Sequence, residues 1–125
     1  MIRLRLKVSN LLVLNAQQSR WIMYRTISIK DITYKGKKYK FLEPLKAKIE
    51  SSLAYDAKTM IWELYIPVIP DGFTRREPID DPEKELKTFV KNVFDEYIMK
   101  EDKELDNPYD VEYRHKWISL LKPPK

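Results

Sequence analysis

Cysteine is absent from this chain of 125 residues, and histidine occurs only once, at position 115. Without cysteine the chain can form neither a disulfide framework nor a thiolate zinc site. A single imidazole also makes a nitrogen-rich metal site remote. We therefore predict that the protein binds no metal and no other cofactor, and its composition suits a reducing cytoplasm.

Long apolar runs are also missing from the sequence. No stretch approaches the ~18 apolar residues of a membrane-spanning helix. The apolar run at residues 11–14 is short and follows Lys7, Ser9 and Asn10, which makes it a poor signal peptide. We expect a cytoplasmic protein without a membrane partner, folded as a single domain over residues 1–125.

Charge is divided unevenly along the chain, whose net charge is +5. Residues 1–50 contain twelve Lys and Arg against three Asp and Glu, whereas residues 51–125 contain twelve against sixteen. The two halves therefore carry +9 and −4. This asymmetry indicates either a polyanion-binding face on the N-terminal half or charge pairing between the halves.

The clearest pattern is a hairpin followed by a helix. Residues 45–55 and 60–66 alternate between apolar and polar side chains across a short link, which predicts two antiparallel strands. After several prolines and a glycine, the apolar spacing changes to that of an amphipathic helix over residues 81–99. Residues 45–98 thus form the predicted core unit.

The N-terminal half contains further strand patterns. Residues 26–33 and 39–42 alternate on either side of a short turn, which predicts a second hairpin in which Gly36 takes a positive φ. Another alternation over residues 2–8 predicts a strand with one basic face. Residues 1–22 are either part of the domain or an appended extension.

Two helix starts are encoded. Asp80 or Asp81 can cap the first turn of the helix at 81–99, where Pro82 suits an early position. A second start precedes a short C-terminal helix at 108–121. The sequence therefore predicts an α+β fold: an antiparallel sheet of about four or five strands packed by one long amphipathic helix (81–99) and a short C-terminal helix (108–121).

Basic and aromatic residues alternate around the N-terminal hairpin, within residues 20–48. Lysine and arginine bind phosphates and aromatic rings stack on bases, so the hairpin is a candidate RNA- or DNA-binding surface. The predicted nucleic-acid-binding residues are Arg25, Lys30, Tyr34, Lys35, Lys37, Lys38, Tyr39 and Lys40. The alternative is an ordinary solvated strand face with its aromatic rings packed inward.

A nuclease site is the one enzymatic possibility, and its geometry is unfavourable. Asp71, Glu85 and Lys87 resemble the carboxylates and lysine of PD-(D/E)xK nucleases. Because Glu85 and Lys87 lie on the predicted helix about 200° apart, they cannot converge on one metal ion. We assign no catalytic residues and predict a protein that is not an enzyme.

The region from Ser52 to about Ile98 resembles the HicB-type antitoxin family. The matching stretches are Tyr55-Asp56-Ala57, Trp62-Glu63-Leu64-Tyr65-Ile66-Pro67, Pro70-Asp71-Gly72-Phe73-Thr74 and Asp80-Asp81-Pro82-Glu83-Lys84-Glu85-Leu86. The sequence departs from the family pattern at Ile79, where the family has glycine, and no DNA-binding tail follows the helix. The resemblance implies a small antitoxin fold and a non-enzymatic, regulatory module that binds and neutralises a small protein toxin.

Partner-binding residues are predicted on both sides of the core unit. They are Trp62, Tyr65, Phe73 and Trp117. The strand at 60–66 is apolar on both faces, and such a strand is usually central or covered. One face would pack on the long helix, and the other on the C-terminal helix or on a second copy of the chain. We predict a homodimer, as the resemblance also implies.

Overall fold

Four strands precede two helices in the computed structural model, which describes residues 22–53 and 58–123. The strands are β1 (Ile22–Tyr34), β2 (Lys37–Leu53), β3 (Met60–Ile66) and β4 (Asp71–Arg75), and the helices are α1 (Pro82–Val93) and α2 (Pro108–Ser119). The strands form one antiparallel sheet in the order β1-β2-β3-β4. The α+β class is confirmed, while the strand predicted at 2–8 lies outside the described residues.

The β1–β2 hairpin closes through a two-residue turn. Lys35 and Gly36 have φ values of 49° and 82°, so both turn residues lie in the left-handed region. Turns of this kind match the natural twist of a hairpin, and glycine takes the second position without steric cost. The positive φ predicted for Gly36 is confirmed.

An irregularity divides β2 into two paired parts. Strand pairing is regular up to Ile29↔Leu45 and resumes at Asp31↔Lys40, so residues 41–44 of β2 face a single residue of β1. Residues 120–122 pair with the start of this stretch: the amide of Leu42 donates to the carbonyl of Leu120 at 2.8 Å. The sequence pattern predicted separate strands at 39–42 and from 45 onward, whereas the structure joins them.

Strand β4 lies among the prolines that separate the predicted hairpin from the helix, where no strand was predicted, and it forms one edge of the sheet. Its glycine, Gly72, packs against the neighbouring strand so closely that a Cβ atom would lie 1.9 Å from the carbonyl oxygen of Leu64. Any other residue would therefore have to push β3 and β4 apart. Arg75, at the end of β4, forms a 2.7 Å ion pair with Glu85 and so ties this strand to α1.

The core lies between the sheet and the helix that begins at Pro82. Asp81 accepts a hydrogen bond from the amide of Lys84 at 3.1 Å, which confirms the predicted helix start. Leu86, Val90 and Val93 of α1 are buried, as the apolar stripe predicts. The helix expected over 81–99 is not one regular helix, because α1 ends at Val93 and the chain continues as a π-helical segment from Phe94 to Ile98.

Helix α2 packs on the same side of the sheet as α1. The ring of Trp117 lies 6.4 Å from that of Phe89 in α1, and Phe89 lies 6.0 Å from Phe73 in β4. Asn107 caps α2 by accepting from the amide of Asp110 at 2.9 Å. No helix of the described residues is long and apolar enough to cross a membrane.

Tyr113 of α2 forms a hydrogen bond to the sheet. The Tyr113 hydroxyl donates to the carboxylate of Asp71, and its ring packs on Tyr97 at 4.7 Å. Burial, and next the bond to Asp71, raise the pKa of Tyr113 above its usual value. The phenol is therefore held in its protonated, donating form.

We expect Tyr113→Phe to lower the free energy of unfolding by about 1–3 kcal/mol at pH 7, because the Asp71 carboxylate loses its donor. Above pH ~10 an unfolded tyrosine ionises while the folded Tyr113 keeps its proton. The wild type should therefore lose stability as the pH rises, and its advantage over the variant should shrink.

Denaturant titrations between pH 7 and 11 measure this difference. Tyr109→Phe is the matched control, because the Tyr109 side chain is 81% exposed on the same helix. A Tyr113→Phe variant as stable as the Tyr109→Phe variant at pH 7 would show that the bond to Asp71 does not hold α2 in place.

Candidate functional site

One face of the sheet carries the helices, and the opposite face carries lysines. Along β2, Leu45, Ala47 and Ile49 are buried beneath the helices, whereas Lys46 and Lys48 between them are exposed. The same alternation holds beyond the irregularity, where Phe41 is buried and Lys38 and Lys40 are exposed. We call the side opposite the helices the lysine face, defined by Lys38, Lys40, Lys46 and Lys48.

The neighbours of these lysines across β1 are mostly hydroxyl side chains. Thr33 lies opposite Lys38, Ser28 opposite Lys46, and Thr26 opposite Lys48. The exception is Lys40, which lies opposite Asp31. Alternate residues of a strand are ~6.6 Å apart, within the ~8–10 Å Debye length at physiological salt, so neighbouring ammonium groups reinforce each other's potential.

The ion pairs of the described residues lie elsewhere. Those in which both partners are described fall within residues 75–115, and the pairs with side chains less than half exposed are Arg75–Glu85 and Arg114–Asp102. No cation of β1 or β2 belongs to an ion pair within residues 22–53 and 58–123. Of the two explanations for the charge asymmetry, pairing between the halves is therefore not observed in this part of the chain.

The predicted aromatic residues of the hairpin point toward the helices. Tyr34 is buried, and its hydroxyl donates to Asp95, a bond that raises the pKa of Tyr34. Tyr39 packs edge-on against Phe94 at 4.8 Å. Neither ring is available on the lysine face for stacking on a base.

The predicted basic residues are divided among different places. Lys38 and Lys40 belong to the lysine face. The ammonium groups of Lys35 and Lys37 lie 5.4 and 5.2 Å from the ring centroids of Tyr34 and Tyr39, respectively, so they cover the aromatic end of the core.

Two further basic residues lie apart from that cluster. Arg25 is exposed and pairs with the buried Ile49, so it projects from the helix-covered side of the sheet. Lys30 is exposed at the irregularity of β1.

Lys46 and Lys48 were missing from the predicted site residues. The signal for them was present, because they alternate with Leu45, Ala47 and Ile49 in a strand with one apolar face. Lysines between buried positions must point away from the core. The hydroxyl residues of β1 also alternate with apolar residues, but only the strand register shows which lysine each one faces.

The four predicted partner-binding residues do not form one surface. Trp117 is fully buried, and Trp62 and Phe73 are half-buried on the helix-covered side. Tyr65 is 38% exposed and lies opposite Lys48, at one end of the lysine face. Tyr65 is therefore the predicted partner-binding residue that remains open to solvent.

Two glutamates limit the lysine face beyond Lys48. Glu50 of β2 and Glu63 of β3 lie directly opposite each other and point away from the helices. Directly opposed residues have Cβ atoms about 4.5–5.5 Å apart, a distance at which two negative charges repel. The surface potential therefore changes sign between Lys48 and Glu50.

Within residues 22–53 and 58–123, no group of three or more histidine, aspartate or glutamate side chains is arranged to hold a metal ion. Comparisons of the chain with protein-family models, with curated proteins and with solved structures find no significant match. The lysine face is therefore the feature of the molecule that bears on function.

We expect Glu63→Gln to raise the free energy of unfolding by about 0.2–1 kcal/mol, because it removes the repulsion between the two opposed carboxylates. Chemical denaturation at low salt measures the effect, which should diminish as salt screens the charges. Glu112→Gln removes one exposed negative charge from α2 and is the control. A loss of stability in Glu63→Gln but not in Glu112→Gln would show that the Glu63 carboxylate has a favourable partner.

Proposed function

We propose that the lysine face binds the phosphate groups of a nucleic acid. The observation that carries this proposal is that four exposed lysines lie on one side of a single strand, none of them in an ion pair with a described residue. Ammonium groups and the hydroxyls of serine and threonine are both common partners of phosphate oxygens. The face supplies both kinds of group in adjacent positions.

The affinity of the lysine face for a nucleic acid, and the salt dependence of that affinity, follow from the number of lysines. Each phosphate neutralised releases counterions and contributes about −0.7 to −0.9 to the slope of log affinity against log salt. Four lysines therefore correspond to a slope of about −2.8 to −3.6. Such binding is weak at high salt and does not depend on base sequence.

A quadruple Lys→Gln variant at positions 38, 40, 46 and 48 tests the proposal. We expect it to bind a fluorescently labelled nucleic acid much more weakly at low salt, with a slope that approaches zero, because the phosphate contacts are lost. Fluorescence anisotropy at several salt concentrations measures both quantities.

The matched control replaces four exposed lysines on the helical side by glutamine: Lys84, Lys91, Lys100 and Lys116. Both variants have the same net charge, so a difference between them is due to position. If the two variants bind equally well and with the same salt slope, the lysine face is not the binding surface.

A second candidate is the protein-binding, antitoxin-like module, which we propose on the basis of the order of elements. From Ser52 to Ile98 the chain runs through the end of β2, β3, a turn, β4 and a helix, which resembles the strand, turn, strand and helix of HicB-type antitoxins. The exposed Tyr65 is available for a protein contact. A cytoplasmic location would suit either candidate.

Affinity purification from native lysate, followed by light scattering, tests the second candidate and the predicted homodimer together. We expect an antitoxin-like module to elute with a small protein in a fixed ratio, and Tyr65→Ala to reduce the amount bound because it removes the exposed ring. The purified chain alone should have the mass of a dimer. The mass of a monomer at high micromolar concentration would refute the homodimer.

A further inference from the structure

We infer that the nucleic acid bound by the lysine face is double-stranded and is held through its phosphates, without contacts to its bases. This inference rests on the proposed function and adds the class of nucleic acid. It depends on the hydroxyl side chains beside the lysines, on the direction of the hairpin's aromatic rings, and on the position of the two helices.

The aromatic rings of the hairpin, near Lys38 and Lys40, face the wrong way for a single strand. Proteins that bind single strands combine a basic groove with exposed rings on which successive bases stack. In the β1–β2 hairpin, Tyr34 is buried and bonded to Asp95, and Tyr39 packs on Phe94. Among the described side chains, the unpaired bases of a single strand would therefore find no stacking platform beside Lys38 and Lys40.

The groups that do lie beside the lysines are suited to phosphate. Thr26, Ser28 and Thr33 are exposed, and each lies directly opposite a lysine. Short hydroxyl side chains donate to phosphate oxygens but offer little surface to a base. A duplex keeps its bases stacked inside and displays its phosphates outside, with about twice the charge per length of a single strand.

The packing behind the lysine face argues against groove readout there. Base sequence is usually read by a helix or a β-ribbon that enters the major groove. Both α1 and α2 lie on the other side of the sheet, where Leu86 and Trp117 are buried in the core. Strand β3 pairs with β2 only from Lys48 onward, so the hairpin before it is a two-stranded ribbon, but Tyr39 packs on Phe94 behind it. A duplex on the lysine face therefore meets one side of a layered surface and not a free ribbon, and its affinity should not depend on sequence.

Tyr65 provides the means to separate the two classes of nucleic acid. Among the described side chains it is the exposed aromatic one on the lysine face, opposite Lys48. If a single strand were the ligand, this ring would stack on a base, and its removal would weaken binding about fivefold or more. For a duplex held by its phosphates, the ring makes no stacking contact.

The experiment measures fluorescence anisotropy with a labelled 20-base-pair duplex and with each of its two strands, as DNA and as RNA, at several salt concentrations. We expect a duplex of DNA or RNA to bind several-fold more tightly than its separate strands. The slope of log affinity against log salt should approach about −3.6 for a duplex. Tyr65→Ala should leave duplex affinity within about twofold, as should the control Tyr109→Ala on α2, and a second duplex of unrelated sequence should bind equally well.

Single strands that bind as tightly as the duplex or more tightly, or a fivefold loss of duplex affinity in Tyr65→Ala alone, would overturn the inference and leave the proposed function standing. A tenfold preference between the two duplex sequences would also overturn it. Failure of every probe to bind at low salt, or equal binding by the quadruple Lys→Gln variant, would instead overturn the proposed function.

Discussion

The packing of α1 against one face of the sheet determines which residues of β2 are buried and which are exposed on either side of its irregularity. Leu45, Ala47 and Ile49 are buried beneath the helices, so Lys46 and Lys48 must lie on the opposite face. A shift of the register by one residue would bury the two lysines and expose the core residues. Because burial of an unpaired charge is very costly, such a shift is strongly opposed. The lysine face is therefore held in place by the core behind it.

The irregularity in β2 preserves this arrangement along the whole strand. Phe41 and Leu45 differ by four positions, an even number, and both are buried. The lysines before and after the irregularity therefore share one face. The amide of Leu42 donates to the carbonyl of Leu120 and the amide of Lys122 donates to the carbonyl of Lys40, each at 2.8 Å, so residues 120–122 pair with β2 at the start of its irregularity. The C-terminal end of the chain thus supports the shape of the surface that we propose as the binding site.

Local signals in the sequence were sufficient for the parts of the fold that depend on neighbouring residues. The cap at Asp81, the turn at Gly36 and the alternation of β2 each depend on a few adjacent positions. Strand β4 was missed because its glycine and the prolines on either side of it are typical of turns, while its pairing with β3 depends on the close approach of Gly72 to Leu64. The sequence also could not predict that Tyr34 points toward the helices, since alternation shows which residues share a face but not which face a helix covers.

The uneven charge along the sequence becomes an uneven charge across the sheet. On the helical side, acidic residues are bound in pairs and caps: Glu85 binds Arg75, Asp102 binds Arg114, and Asp81 caps α1. The lysines of β2 have no such partners among the described residues. The packed layers hold these acids ~10 Å or more from a ligand in front of the sheet, beyond the ~8 Å Debye length at physiological salt, so salt weakens their repulsion of that ligand. The lysine face can therefore attract a polyanion, although the C-terminal half of the chain is acidic.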